Sequence, residues 1–202
     1  MRLYLVRHGE AQDDIEDCYG GIADFELTEL GRETAKQLAA KLQSKRITQV
    51  YTSPYKRASE TAGIIGNHLH CDVRTISNLR ERNSYGVLSG VTKKRAAEIF
   101  PHVLATVTGK PGDYYSDSLV LGAEPRTDFD ERVRRAIDEV AQAAAGCEAV
   151  CVVTHGNVTR SVYRNILRVE GKVELDLLAL TEIDWNSGQP RVLANDGVTV
   201  KR

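Results

Sequence analysis

Two histidines of this chain stand at the ends of apolar runs and directly before glycine: LYLVRHGE at 3–10 and VCVVTHGN at 150–157. Each run suits a short strand, so each delivers an imidazole to a strand's carboxyl end. Arg7 precedes the first histidine, and Arg57 falls just beyond a second predicted strand, QVYTS at 49–53. Two guanidiniums and two imidazoles, with glycines that let backbone N–H groups approach, make an oxyanion cradle. Guanidinium forks match tetrahedral phosphate oxygens, and helix N-termini after Ser53 and His155 add partial positive charge. A neutral imidazole is also a nucleophile near pH 7. It can take a phosphoryl group as a phosphoramidate, which splits one hard displacement into two. Phosphate monoesters need up to ~10²¹-fold acceleration, so this much charge stabilisation is in proportion to the task.

The elements that must position these groups follow from the hydrophobic period. RLYLV is strand one. TELGRETAKQLAAKLQS (28–44) is a helix with Thr28 as N-cap and Leu30, Thr34, Leu38 and Leu42 on its apolar stripe. Ser53-Pro54 opens a helix to about residue 69, the hydroxyl as cap and the proline in the first turn. DVRTI (72–76) is a third strand, 77–91 a polar loop, 92–99 a short helix, and 102–126 irregular with KPGD as a turn. A long helix covers 127–145, where Arg132, Arg134 and Arg135 read as a solvated face. EAVCVVT (148–154) is apolar enough for a strand covered on both faces. A helix from NVTRSVYRNILR follows, then LLALTEIDW and RVLAN pair as a hairpin turning at SGQ. Strands alternating with helices predict a three-layer α/β/α sandwich, with a mostly parallel central sheet and antiparallel edge strands near the C-terminus. In such sheets ligands sit outside the carboxyl ends of the strands, where both histidines fall.

The gross numbers bound the rest. A length of 202 residues predicts one domain over 1–202, and 42% hydrophobic with 27% charged residues gives an ordinary globular composition. A net charge of −1 provides no global basic field, so neither nucleic acid nor a membrane surface is an expected partner. No run approaches the roughly 18 apolar residues of a membrane span, and Leu3–Val6 is too short for a signal peptide, which predicts a cytoplasmic protein. The four cysteines, Cys18, Cys71, Cys147 and Cys151, form no CxxC and no zinc spacing, and read as small hydrophobes.

In order along the chain, LVRHGE (5–10), LTELG (27–31), TSPYKRASETA (52–62), LRERNSYGVLSG (79–90), GAEPRTDFDERV (122–133) and VVTHGN (152–157) resemble the histidine phosphatase superfamily, the phosphoglycerate-mutase-like family. The resemblance implies that His8 becomes phosphohistidine and that Arg7, Arg57 and His155 grip the phosphoryl oxygens. It also implies that Glu81 protonates the leaving oxygen and later activates water. Gly20, Gly21, Arg82, Lys93, Gly156 and Asn157 join Arg7 and Arg57 as expected substrate-binding residues. No cofactor or metal is implied, the partner expected is a small phosphomonoester, and a homodimer is left open.

Hydrolase and mutase readings diverge at particular positions. Lys93 falls where cofactor-dependent mutases of the family carry a substrate lysine, and Arg82 is either a further clamp or an exposed loop arginine. Against a mutase, 94–122 is short and lacks a paired-arginine segment. Asp14 replaces a phosphate-contacting asparagine, Ala11 a serine and Cys18 a basic residue. Tyr114 and Tyr115 line a pocket or simply pack a loop. The sequence therefore predicts a metal-independent phosphomonoesterase, with a phosphoglycerate-type mutase and a silent phospho-ligand binder as alternatives.

Overall fold

Along β1 (Arg2–Arg7), Leu3 and Leu5 enter one core and Tyr4 and Val6 another, the two-residue period of extended chain. β4 (Ala149–Thr154) does the same: Val150 and Val152 join the first core, Ala149, Cys151 and Val153 the second. Strands buried on both faces need a helical layer on each side, and the computed structural model supplies them. It describes residues 1–102, 104, 120–185 and 189–201. α2 (Glu29–Leu42) and α3 (Lys56–Leu69), which follow a short turn α1 (Gln12–Ile15), close the second core. On the opposite face lie α5 (Arg126–Ala143) and α6 (Gly156–Ser161), α6 passing into a π-helical turn at Val162–Ile166. Apart from these layers, α4 (Lys93–Ile99) packs Ala96 against Leu88 and Val120 in a separate small cluster.

With β2 (Ile47–Thr52), β3 (Asp72–Thr75), β5 (Lys172–Asp184) and β6 (Arg191–Lys201), the sheet runs β3-β2-β4-β1-β5-β6. The β3-β2, β2-β4 and β4-β1 pairs are parallel, and β1-β5 and β5-β6 antiparallel, as the sequence predicts. The terminal hairpin is longer than expected and its register breaks between Leu175 and Leu180, around a left-handed Leu178. The tip at Ser187 and Gly188, the KPGD turn and the Tyr114-Tyr115 pair lie outside the described residues. Among the described residues no helix is long and apolar enough to cross a membrane. The four cysteines are free; Cys151 is buried, whereas Cys18, Cys71 and Cys147 are half-buried.

Three local expectations are corrected. α2 buries Gly31, Ala35, Leu38, Ala39 and Leu42, while Leu30 is 58% exposed, so the buried stripe is rotated toward small residues. The cause is close approach: a Cβ at Gly31 would lie 2.1 Å from the Glu10 carbonyl oxygen. Ser53 does not cap α3, which starts at Lys56 with Tyr55 at its N-cap. Asp24 Oδ1 instead accepts the Lys56 N–H at 2.6 Å. Arg132 is not on a solvated face; it is buried and forks onto Glu124. The expected loop at 77–91 contains two 3₁₀ turns, Ser77–Leu79 and Gly86–Leu88.

Candidate active site

Because β1 and β4 are parallel neighbours with Arg7 opposite Thr154, the residues that follow each strand emerge side by side. The His8 N–H extends the ladder to the Thr154 carbonyl, and the two imidazole centroids lie 5.2 Å apart. His155 then takes extended geometry as N-cap of α6, which puts the helix N-terminus at the rim. Arg57 reaches the same place from the first turn of α3, and Glu81 from the segment between β3 and α4. They enclose a cleft of about 280 Å³ lined by Arg7, His8, Arg57, Glu81, Arg82 and Arg160, with Asp13, Asp14, Cys18, Gly20, Gly21, Tyr85, Gly156 and Asn157.

The protonation of His8 follows from its partners. Nδ1 lies 2.8 Å from the Gly9 carbonyl, which can only accept, so Nδ1 carries the hydrogen. Burial, then the Arg57 and Arg7 charges, holds the ring well below the ordinary imidazole pKa, so it is neutral near pH 7. Nε2 is left with its lone pair and accepts from Arg57 Nε at 3.3 Å. The other Arg57 donors grip the loop that borders the cleft, Nη1 to the Ala23 carbonyl at 2.8 Å and Nη2 to that of Gly21 at 3.0 Å. Thr61, one turn further on α3, accepts from the Gly9 N–H and donates to the Arg57 carbonyl. One hydroxyl thus ties the turn after His8 to the helix carrying Arg57.

Arg7 donates Nη1 to the Leu175 carbonyl at 2.8 Å, and its buried Nε has no partner among the described residues. Arg160 anchors on the Val173 carbonyl through Nε at 3.0 Å, so β5 holds both arginines. A side chain at Gly156 would press on Arg160 Nη1 at 3.0 Å, so the glycine leaves that guanidinium its room beside the cleft. Glu81 is 9% exposed; Oε1 accepts the Arg82 N–H at 2.7 Å and Oε2 the Asn157 N–H at 3.1 Å. Neighbouring Arg82 donates Nε and Nη2 to the Glu124 carbonyl.

The expected site residues divide into three groups. Arg7, His8, Arg57, Glu81, Gly20, Gly21, Gly156 and Asn157 all line the cleft, and so does Arg82, which is buried rather than an exposed loop arginine. His155 does not line it. It lies fully buried beside His8, with Nε2 on the Ser53 hydroxyl at 2.7 Å and Nδ1 without a partner among the described residues. Burial followed by the Arg57 charge lowers its pKa well below the ordinary value, so it too is neutral. Lys93 is not in the cleft lining; it is exposed and paired with Asp17. Asp14 is turned so that Oδ2 accepts the Ala11 N–H at 2.9 Å.

Sequence reasoning missed Arg160, Asp13, Tyr85 and the Ser53 contact. Arg160 was findable, being one helical turn beyond Gly156 on the helix that opens at the rim. The cleft can hold a tetrahedral oxyanion and present an unprotonated ring nitrogen to it. Among the described residues no group of three or more His, Cys, Asp or Glu could hold a metal ion.

A parallel-centred α/β/α sandwich thus gathers two neutral histidines and four arginines at one rim of its sheet. The chain belongs to the histidine phosphatase superfamily, branch 1, whose sequence profile matches residues 3–196. It is 33% identical over 174 residues to phosphoglycerate mutase-like protein 4 of Arabidopsis thaliana, covering 85% of this chain and 74% of that one. It is 31% identical over 175 residues to the metal-independent phosphoserine phosphatase of the same plant, covering 86% and 71%. In fold it is similar to the alpha-ribazole phosphatase from Shigella flexneri, with a TM-score of 0.81 over 96% of this chain and 95% of that one at 22% identity.

Proposed function

We propose that the chain hydrolyses a small phosphomonoester through a phosphohistidine on His8, without a metal ion. The state of His8 carries this reading. A buried, neutral ring has its hydrogen committed to Gly9 and its Nε2 lone pair in a cleft lined by guanidiniums. The Nε2 lone pair attacks phosphorus as the bond from phosphorus to the ester oxygen breaks, and Glu81 as general acid gives its proton to that oxygen. Glu81, now a carboxylate, takes a proton from water as the water oxygen attacks phosphorus. The N–P bond then breaks, phosphate leaves and Glu81 is protonated again. Arg7 and Arg57 neutralise the oxygens in flight, the charge stabilisation such loose transition states need. Arg82, Arg160, Asn157 and the glycines at 20, 21 and 156 shape the surrounding wall. His155 backs the His8 ring, and its buried Nδ1 has no partner among the described residues.

Hydrolysis is favoured over phosphoryl return to the substrate by Lys93. Its pairing with Asp17 leaves it outside the cleft, where a mutase would need it as a carboxylate clamp. A volume near 280 Å³ fits a small ester, and the phosphoserine phosphatase among the relatives supports a metabolite-sized substrate. The test is a phosphatase screen over small phosphorylated metabolites in the presence of chelator and of vanadate. We expect turnover that resists the chelator, is inhibited by vanadate and vanishes in His8→Ala. Activity surviving His8→Ala refutes the covalent route, and conversion of 3-phosphoglycerate to 2-phosphoglycerate without free phosphate would favour a mutase.

A further inference from the structure

Asp13 is the one carboxylate of the cleft whose buried oxygen has no hydrogen-bond partner among the described residues. Its Oδ1 is shielded from solvent and unpartnered, while Asp14 on the same turn is occupied by Ala11 and Glu81 by two backbone N–H groups. The side chain is also held in place. Gly20 lies flat against it, so that a Cβ there would fall 2.1 Å from Asp13 Oδ2 and 3.2 Å from its Cγ. Arg57 from α3 and Arg7 from β1 face it, with Asp14 on its own turn and the Cys18 thiol from the loop beyond. Nε, Nη1 and Nη2 of Arg57 each donate to an acceptor other than Asp13, and one N–H on each of Nη1 and Nη2 is left over for an anion in the cradle. An ionised carboxylate fixed there would oppose a phosphate dianion in the cradle. A neutral one would complete it.

We infer that Asp13 binds the phosphoryl group as a carboxylic acid, donating its O–H to a phosphoryl oxygen, so that a proton enters from solvent with each dianion bound. This rests on the cleft being a phosphoryl site, as proposed above. Burial raises the Asp13 pKa ahead of the lowering by Arg57, which places the free protein partway toward that state. A bound dianion would carry it further. The departure at Asp14 and the carboxylate at Asp13 thus cease to be obstacles to anion binding: one is turned away and the other becomes a donor.

The test is calorimetric titration with tungstate, whose charge stays constant between mildly acid and mildly alkaline pH. The intact chain should bind with uptake of one proton, and Kd should rise up to tenfold per pH unit on the alkaline side. Asp13→Asn, which donates at every pH, should lose both the slope and the proton uptake and keep the tight Kd of the acid form. Asp13→Ala should lose the slope but bind more weakly than Asp13→Asn throughout, which separates donation from mere relief of repulsion. Glu81→Gln should keep the slope of the unaltered chain. The inference is overturned if Asp13→Asn retains the slope, if it binds weakly at every pH, or if the alanine variant binds as tightly as asparagine. Failure of the intact chain and all variants to bind tungstate while folded would instead remove the phosphoryl-site reading on which it rests.

Discussion

Replacing Arg132 by methionine is the sharpest test of how the fold holds Glu81. Arg132 donates Nε and Nη2 to the two carboxylate oxygens of Glu124 at 2.8 and 2.7 Å, and Nη1 to the carbonyls of Asn78 and Arg80 at 2.8 and 2.9 Å. Glu124 in turn accepts twice from Arg82 at its carbonyl and donates its N–H to the Asn83 carbonyl. Residues 78–83, with Glu81 at the centre, are therefore stitched to α5 by one guanidinium. Methionine has a comparable unbranched stem but loses the guanidinium over the Phe129 ring, and it leaves a carboxylate only 18% exposed and two carbonyls without this donor. Breaking a buried pair from one side costs about 3–5 kcal/mol, a large share of a typical domain's stability of roughly 5–15 kcal/mol. Displacing Glu81 by about an ångström should also lower kcat on the order of 100-fold. Urea unfolding with an unchanged slope would measure the first effect and steady-state turnover the second. Adding Glu124→Gln removes the stranded charge and should return about 1–2 kcal/mol, a coupling readable from the double-mutant cycle. A loss below about 1 kcal/mol with kcat intact would mean the fork is ornamental, and the account of Glu81 positioning would be wrong.

Thr61→Val keeps the shape but strands the Gly9 N–H, and should cost about 1–3 kcal/mol in urea unfolding; a change under about half a kcal/mol would discount the tie between α3 and the His8 turn. Both histidines have folded pKa values depressed below 6.5, so their contribution is full above that value and is lost as pH falls toward the folded values. The unfolded chain gains up to two protons that the native one refuses, so stability should fall by up to about 3 kcal/mol per pH unit below the ordinary value. Unfolding midpoints that stay level through that window would contradict the burial of two neutral rings. Glu81→Gln should slow alkyl phosphates more than p-nitrophenyl phosphate, because only the poor leaving group needs the proton; equal losses would remove the general-acid role.

What could be read from the sequence was whatever short-range pattern encodes. The strands were legible because apolar runs such as AVCVVT leave no other reading once both faces are covered. The catalytic-type residues were legible because RHG and THG end such runs, and only the resemblance singled out Glu81 among 28 acidic residues. The failures share a cause, which is that burial is decided by neighbours distant in sequence. On α2 the largest apolar side chain near the start, Leu30, was assigned inward, whereas the helix start comes so near the Glu10 backbone that the inward position there is Gly31. Arg132 looked like its neighbours Arg134 and Arg135. It nevertheless shares a face with Phe129, Val133 and Ala136, spaced three and four residues from one another, and that periodicity should have placed it inward. Ser53 was misread because a hydroxyl before proline is an ordinary cap; it accepts only the Tyr55 N–H ahead of the helix, and its shorter contact is to His155, 102 positions away.

Strand order explains why the site exists at all. β1 and β4 are separated by more than 140 residues of chain, yet they adjoin in the sheet, and their parallel register sets Arg7 against Thr154. Parallel neighbours bring equivalent ends together, so each strand's next residue, His8 and His155, must meet at one rim. Had β1 been antiparallel to β4, the two imidazoles would lie at opposite edges of the sheet, roughly 20 Å apart for six-residue strands. Antiparallel pairing is used instead on β1's other side. There β5 runs back along the sheet, and its Val173 and Leu175 carbonyls, just before the register breaks, accept from Arg160 and Arg7. The parallel half of the sheet therefore collects the imidazoles, and the antiparallel half holds Arg7 and Arg160, while loop carbonyls hold Arg57 and Arg82; so a chain of net charge −1 gathers four arginines around one anion-sized space.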